Sequence, residues 1–140
     1  MARYLIVTHR TAFAPEVRVK VGELAAADPA AEFAILVPEA PGQTYTWEGE
    51  TVSEAQENAA GLKQILEGTL GARVARTAVG SQDPLQAIAD ELRDSEGYDT
   101  LVICTLPLGV SQWLRLDLVH HAERKFGLPV IHVVGESVAA

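Results

Sequence analysis

The chain has a single cysteine, Cys104, in 140 residues. No internal disulfide can staple it, and that usage fits a reducing compartment. Long apolar runs are also missing. The longest stretches are strand-sized, well short of the ~20 residues a membrane-spanning helix needs. Positive charge is sparse and scattered: 11 Lys and Arg stand against 19 Asp and Glu, the net charge is −8, and the densest basic pair is Arg124-Lys125. Nucleic-acid binding needs grouped cations that displace counterions from phosphates. Nucleic acid is therefore not expected as a partner, nor is an anionic membrane surface. Tyr4-Leu5-Ile6-Val7, after Met1-Ala2-Arg3, is too short for the apolar segment of a secretory signal and has no cleavage pattern behind it. The expected location is cytoplasmic.

What is present has globular proportions, 48% apolar and 21% charged. The length predicts one domain over residues 1–140, burying roughly two-thirds of its unfolded surface. Five apolar runs alternate with four helical patterns. Tyr4 to Thr8 is followed by Glu16 to Ala27, where Val17, Val21 and Leu24 recur at helical spacing before Asp28-Pro29 stops the helix. The second run is Phe33 to Val37. A long connection, Pro38 to Val52, then carries Tyr45 and Trp47 to a helix expected near Ser53. Its apolar face runs through Ala59, Leu62, Ile65 and Leu66, and Gly68 with Gly71 closes it. The third run, Ala72 to Val79, is interrupted by Arg73 and Arg76, as suits an edge strand.

Asp83-Pro84 opens the third helix with an N-cap acid and a proline at its first position, and Leu85, Ile88, Ala89 and Leu92 form its buried stripe up to Gly97. Thr100 to Cys104 is the fourth run. A helix from about Ser111 to Lys125 leads through Gly127 to the last run, Val130 to Val134. Strict alternation predicts an α/β fold, a three-layer, doubly wound, five-stranded parallel sheet with helices on both faces. Such sheets bind ligands beyond the carboxyl ends of their strands, where strand order reverses. The residues to interrogate are therefore His9, Arg10 and Thr11, the Pro38 to Trp47 loop, Gly80, Ser81 and Gln82, and Thr105 to Arg115.

The whole chain resembles the universal stress protein family. The resemblance rests on the opening strand that runs into Thr8-His9-Arg10-Thr11, on Gly80-Ser81-Gln82-Asp83-Pro84-Leu85-Gln86-Ala87-Ile88, and on the closing Leu128-Pro129-Val130-Ile131-His132-Val133. It implies strand order 3-2-1-4-5, the architecture also described as adenine nucleotide alpha hydrolase-like, and a homodimer paired through the C-terminal strand Val130 to Val134. Family members that bind ATP carry Gly, two residues, Gly, nine residues, Gly, then Ser or Thr, so that backbone N–H groups wrap the phosphates at a helix N-terminus. Aligned after the fourth strand, those positions fall on Cys104, Pro107, Asp117 and Leu118, and none matches. His9 stands where the family has an adenine-contacting Asp, and Arg10 stands where a Gly succeeds it. No cofactor is therefore expected in the usual way, with ATP or AMP left open only through the rebuilt loop around Gly109.

Individual residues admit two readings each. Arg10 and Arg115 can converge on a small anion, with the N–H groups of Val110 and Ser111 adding donors; alternatively Arg115 pairs with a nearby acid such as Asp117, the commoner fate of a surface arginine. His9 has the chemistry of a general base, but no spacing places a nucleophile beside it, and a hydrogen-bonded structural role is the simpler expectation. Cys104 is expected to be buried and inert. Asp117 and His121 share a helix face but have no third ligand, so no metal is expected. Tyr45, Trp47 and Trp113 are expected to pack. No nucleophile, base and oxyanion donor assemble as one unit. The leading expectation is a non-catalytic, stress-related or regulatory protein; the alternative is a nucleotide or small-anion module using the loop after the fourth strand.

Overall fold

A computed structural model describes residues 3–8, 15–38, 50–80, 84–94, 97–105 and 118–134. Strands β1 (Arg3–Val7), β2 (Glu32–Pro38), β3 (Arg73–Gly80), β4 (Thr100–Thr105) and β5 (Val130–Val134) alternate with helices α1 (Pro15–Ala27), α2 (Glu50–Leu70), α3 (Pro84–Asp94) and α4 (Leu118–Phe126). All four strand pairings are parallel, in the order β3-β2-β1-β4-β5. The expected fold class and strand order are therefore both observed, with β3 at an edge as its arginines suggested.

Alternation along the strands sends side chains to two cores. Ile6, Phe33, Ile35, Val37, Val102 and Cys104 pack with Val17 and Val21 of α1 and with Ala59, Leu62 and Leu66 of α2. Leu5, Val7, Leu36, Leu101 and Ile103 pack on the other face with Ala87 and Ile88 of α3 and with Leu118 and Ala122 of α4. Burial on both faces is why the strands read as continuous apolar runs. Tyr4 and Phe33, register partners on β1 and β2, stack with ring centroids 5.2 Å apart.

Chain reversals obey local chemistry. Asp28 accepts from Ala30 N through Oδ1 at 3.1 Å and from Ala31 N through its carbonyl at 3.0 Å. Pro29 supplies the preset φ of that turn. Helix α2 differs from expectation at both ends. It begins at Glu50, three residues ahead of Ser53; Thr51 and Val52 are only mildly poor helix formers, and no Gly or Pro intervenes to stop an earlier start. Gly68 lies inside the helix, and Gly71 alone, with φ +66°, forms the left-handed cap. Along α3, Ala87 and Glu91 are buried together with Ile88, while Leu85 and Leu92 are only partly covered.

Glu91 is buried because β3 carries a bulge. The register jumps from Phe33↔Val74 to Ala34↔Arg76, leaving Ala75 as an extra residue. One inserted residue reverses the facing of the strand residues beyond it. Val74 points to the α1/α2 side, whereas Arg76 reaches α3 and meets Glu91 at 2.8 Å. Tyr98 OH donates to the same carboxylate at 2.7 Å. Beside them, Arg3 N donates to Asp99 Oδ2 at 2.8 Å, its guanidinium lies 5.4 Å from the Tyr98 ring centroid, and Arg3 Nε stands 3.7 Å from Glu32 Oε1. The amino ends of β1, β2 and β4 are thus tied together by polar contacts. Among the described residues, no helix is long and apolar enough to cross a membrane.

Candidate functional site

The strand order reverses between β1 and β4, so the crevice of this fold opens where those strands end. Thr8 comes directly after β1 and is fully buried, its N–H donating to Leu36 O at 3.1 Å. Extending the β1–β4 register one step past Val7↔Ile103 sets Thr8 level with Cys104, with Thr105 just beyond. Thr105 is also buried. Two threonines therefore form the floor where buried polar groups are otherwise scarce: Thr8, Thr105 and Glu91 are the buried polar residues among those described.

Of the residues expected to contact a ligand (His9, Arg10, Thr11, Ser81, Thr105, Gly109, Val110, Ser111 and Arg115), Thr105 is the one that lies within the described structure. Its Oγ1 is 2.7 Å from His132 Nε2 on β5. Thr105 pairs with Val134 and Ile103 with His132, so the two side chains are diagonal neighbours on one face of the sheet. His132 is largely exposed, yet partial burial lowers its pKa from the ordinary 6.5. A neutral imidazole can accept from the Thr105 hydroxyl or donate to it, depending on its tautomer. The sequence does not single out His132, because it sits inside an apolar run and its partner is 27 residues away.

His9, Arg10, Thr11, Ser81, Gly109, Val110, Ser111 and Arg115 lie outside the described residues, as do Tyr45, Trp47 and Trp113. Of the four positions aligned with the family's phosphate-binding signature, two are described. Cys104 is 1% exposed within the α1/α2 core, and Leu118 is 2% exposed within the α3/α4 core. Burial pushes the Cys104 thiol up to about 12, so it is protonated at neutral pH and packs as a small apolar side chain. Among the described residues, no group of three or more His, Cys, Asp or Glu is placed to hold a metal ion.

No protein-family model matches the chain, and no curated protein matches it in sequence. Solved structures do match it. A universal stress protein from Archaeoglobus fulgidus superposes with a TM-score of 0.64 at 16% identity, covering 95% of this chain and 93% of that one. The universal stress protein from Archaeoglobus fulgidus in complex with dAMP gives 0.61 at 19% identity, covering 95% and 97%. A universal stress protein in complex with cAMP gives 0.59 at 18% identity, covering 96% and 98%. The chain has the universal stress protein fold along nearly its whole length. The resemblance drawn from its opening, middle and closing segments holds at the level of fold.

Proposed function

We propose that this chain is a non-catalytic regulatory or stress-related protein that lacks the family's usual ATP site and acts as a homodimer. The observation that carries the reading is the burial of Cys104 and Leu118. Where the signature has a glycine, a core thiol fills the space. Where it has a hydroxyl for phosphate, a leucine faces the sheet. Pro107, at the second glycine position, has no N–H to donate. The dimer forms through β5, whose pairing removes an open sheet edge.

A second reading is favoured by the dAMP and cAMP held by two of the similar structures. In it, the rebuilt loop from Gly109 to Arg115, with His9, Arg10, Thr11 and Ser81, binds a nucleotide or small anion above Thr105. Backbone N–H groups of Val110 and Ser111 and the Arg10 and Arg115 guanidinium groups supply the positive potential.

A thermal-shift series against ATP, ADP, AMP, cyclic AMP and inorganic phosphate separates the two. Ligand at ~100 times its dissociation constant stabilises the folded state by about 2.7 kcal/mol, a visible shift for a domain of this size. The first reading expects no shift at millimolar ligand. A saturable shift lost on Arg115→Ala overturns it in favour of the second. Turnover of a nucleotide, abolished by His9→Ala, overturns the non-catalytic assignment.

A further inference from the structure

The side chain of Thr105 lies on the α3/α4 face of the sheet, because Leu101 and Ile103 point there while Val102 and Cys104 point to the α1/α2 core. His132 shares that face, since Ile131 and Val133 on either side of it pack with the α1/α2 core. The neighbours of the Thr105 hydroxyl on this face are Val7, Ile103 and Val134, all apolar. Among the described residues, His132 Nε2 at 2.7 Å is the one hydrogen-bond partner of that hydroxyl. Thr105 is 2% exposed, while His132 is open to solvent.

A hydroxyl buried to that degree keeps its proton on an acceptor. The neutral ring can take it at Nε2 only if its own proton is on Nδ1, so the buried threonine selects one tautomer of an exposed histidine. We propose that Thr105 and His132 form a proton-operated switch at the floor of the crevice: the neutral ring accepts the hydroxyl's proton, and the protonated ring turns it back toward the crevice. The inference goes beyond both readings above, because it holds whether or not a nucleotide binds there.

Proton uptake makes Nε2 a donor, and the threonine oxygen must then accept from it. The hydroxyl's own proton is displaced, and Val7, Ile103 and Val134 offer it no side-chain acceptor. Thr105 is the last residue of β4, so the direction left open is past the carboxyl end of the strand, where ligands bind in this architecture. The crevice floor thus gains a hydrogen-bond donor in acid, of the kind an anion uses.

The groups around His132 leave this bond in control. From β4 it meets Thr105, which is uncharged; Cys104 is on the other face, with its thiol pushed up to about 12 by burial. Helix α4 packs on the same face through Leu118 and Ala122, with His120, His121, Glu123, Arg124 and Lys125 exposed. Helix α1, which carries Glu16 and Lys20, packs on the opposite face with Val133. Among the described residues, no acid or base pairs with His132. Partial burial lowers its pKa, and a hydrogen bond to the neutral ring acts in the same direction.

The imidazole nitrogens of the full chain are followed by nitrogen-15 NMR from pH 8 to pH 5 in the wild type, Thr105→Ser and Thr105→Val, with circular dichroism to confirm folding. The chain has four histidines, and the signal lost in His132→Gln identifies the ring. The expected wild-type result at pH 8 is a His132 proton on Nδ1, kept in Thr105→Ser and released to a mixture of tautomers in Thr105→Val. The pKa of His132 should rise in Thr105→Val, because the hydroxyl no longer favours the neutral ring. Valine keeps the burial, whose effect is downward, so a rise isolates the hydrogen bond. A wild-type ring protonated on Nε2 at pH 8 overturns the proposal, and that reading needs no variant to fold. A pKa that falls or stays in Thr105→Val overturns it as well, since a hydroxyl that only accepts would favour the charged ring.

Discussion

Arg76 and Glu91 meet in a two-point contact between β3 and α3, Nε to Oε2 at 2.8 Å and Nη2 to Oε1 at 3.0 Å. The carboxylate is 4% exposed and the guanidinium side chain 48%. One partner is therefore in the core while the other reaches solvent. Removing the arginine strands a buried charge with only Tyr98 to bond it. Arg76→Met is expected to cost about 2 kcal/mol, less than a fully buried pair because the arginine end is hydrated. Adding Glu91→Met should restore much of that loss, since the orphaned carboxylate goes too. Urea unfolding of the two single variants and the double variant checks the pattern; additive losses would contradict it.

The last glycine inside α2 and the glycine that caps it should respond in opposite ways to the same change. A Cβ on Gly68 or on Gly71 meets nothing within 4 Å, so neither substitution is opposed by packing. Gly68 is in the helix, where alanine is favoured by up to about 1 kcal/mol. Gly71 has φ +66°, where a side chain costs about 1 kcal/mol or more. Gly68→Ala should raise Tm and Gly71→Ala should lower it, both read by calorimetry.

Cys104 should be silent toward thiol reagents. With the thiol pushed up to about 12 from its ordinary 9.0 by burial, native protein at pH 8 is expected to resist a disulfide reagent that labels the urea-unfolded chain at once. The same shift makes the unfolded chain lose its proton first as the solution turns alkaline. The contribution of Cys104 to stability is whole below pH 9 and is lost as pH rises toward 12.

The strands were legible because apolar runs buried on both faces leave little ambiguity, whereas their order came from the family resemblance and not from the runs. Glu91 was not, since an acid on a helix beside Leu92 reads as solvent-facing until the bulge at Ala75 turns Arg76 toward it. The start of α2 was displaced because a serine such as Ser53, expected near the helix start, also occurs inside helices. Of the candidate site, Thr105 was anticipated by its place just after the fourth apolar run, and it forms the last residue of β4. Its contact with His132 was not, because a pairing across 27 residues has no local pattern.

His132 has a pH signature of its own. Its pKa is lowered by burial, so the unfolded chain takes up the proton first as pH falls. Its contribution to stability is whole above about pH 6.5 and is lost as pH drops through the lower folded value. Thr105→Val, which removes the hydroxyl at 2.7 Å, should cost about 1 kcal/mol at pH 7.5. His132→Gln should flatten the decline of stability between pH 7 and 5, measured by urea unfolding at each pH.

The polar ties among Arg3, Glu32, Asp99, Tyr98, Glu91 and Arg76 all lie at or near the amino ends of the strands. The fold is thus fastened at one rim, while ligand chemistry in this architecture belongs to the other. Substitutions at the far rim leave that fastening untouched. With its anchorage at one end of the strands, the scaffold superposes over 95% of its length on a structure that shares 16% of its residues.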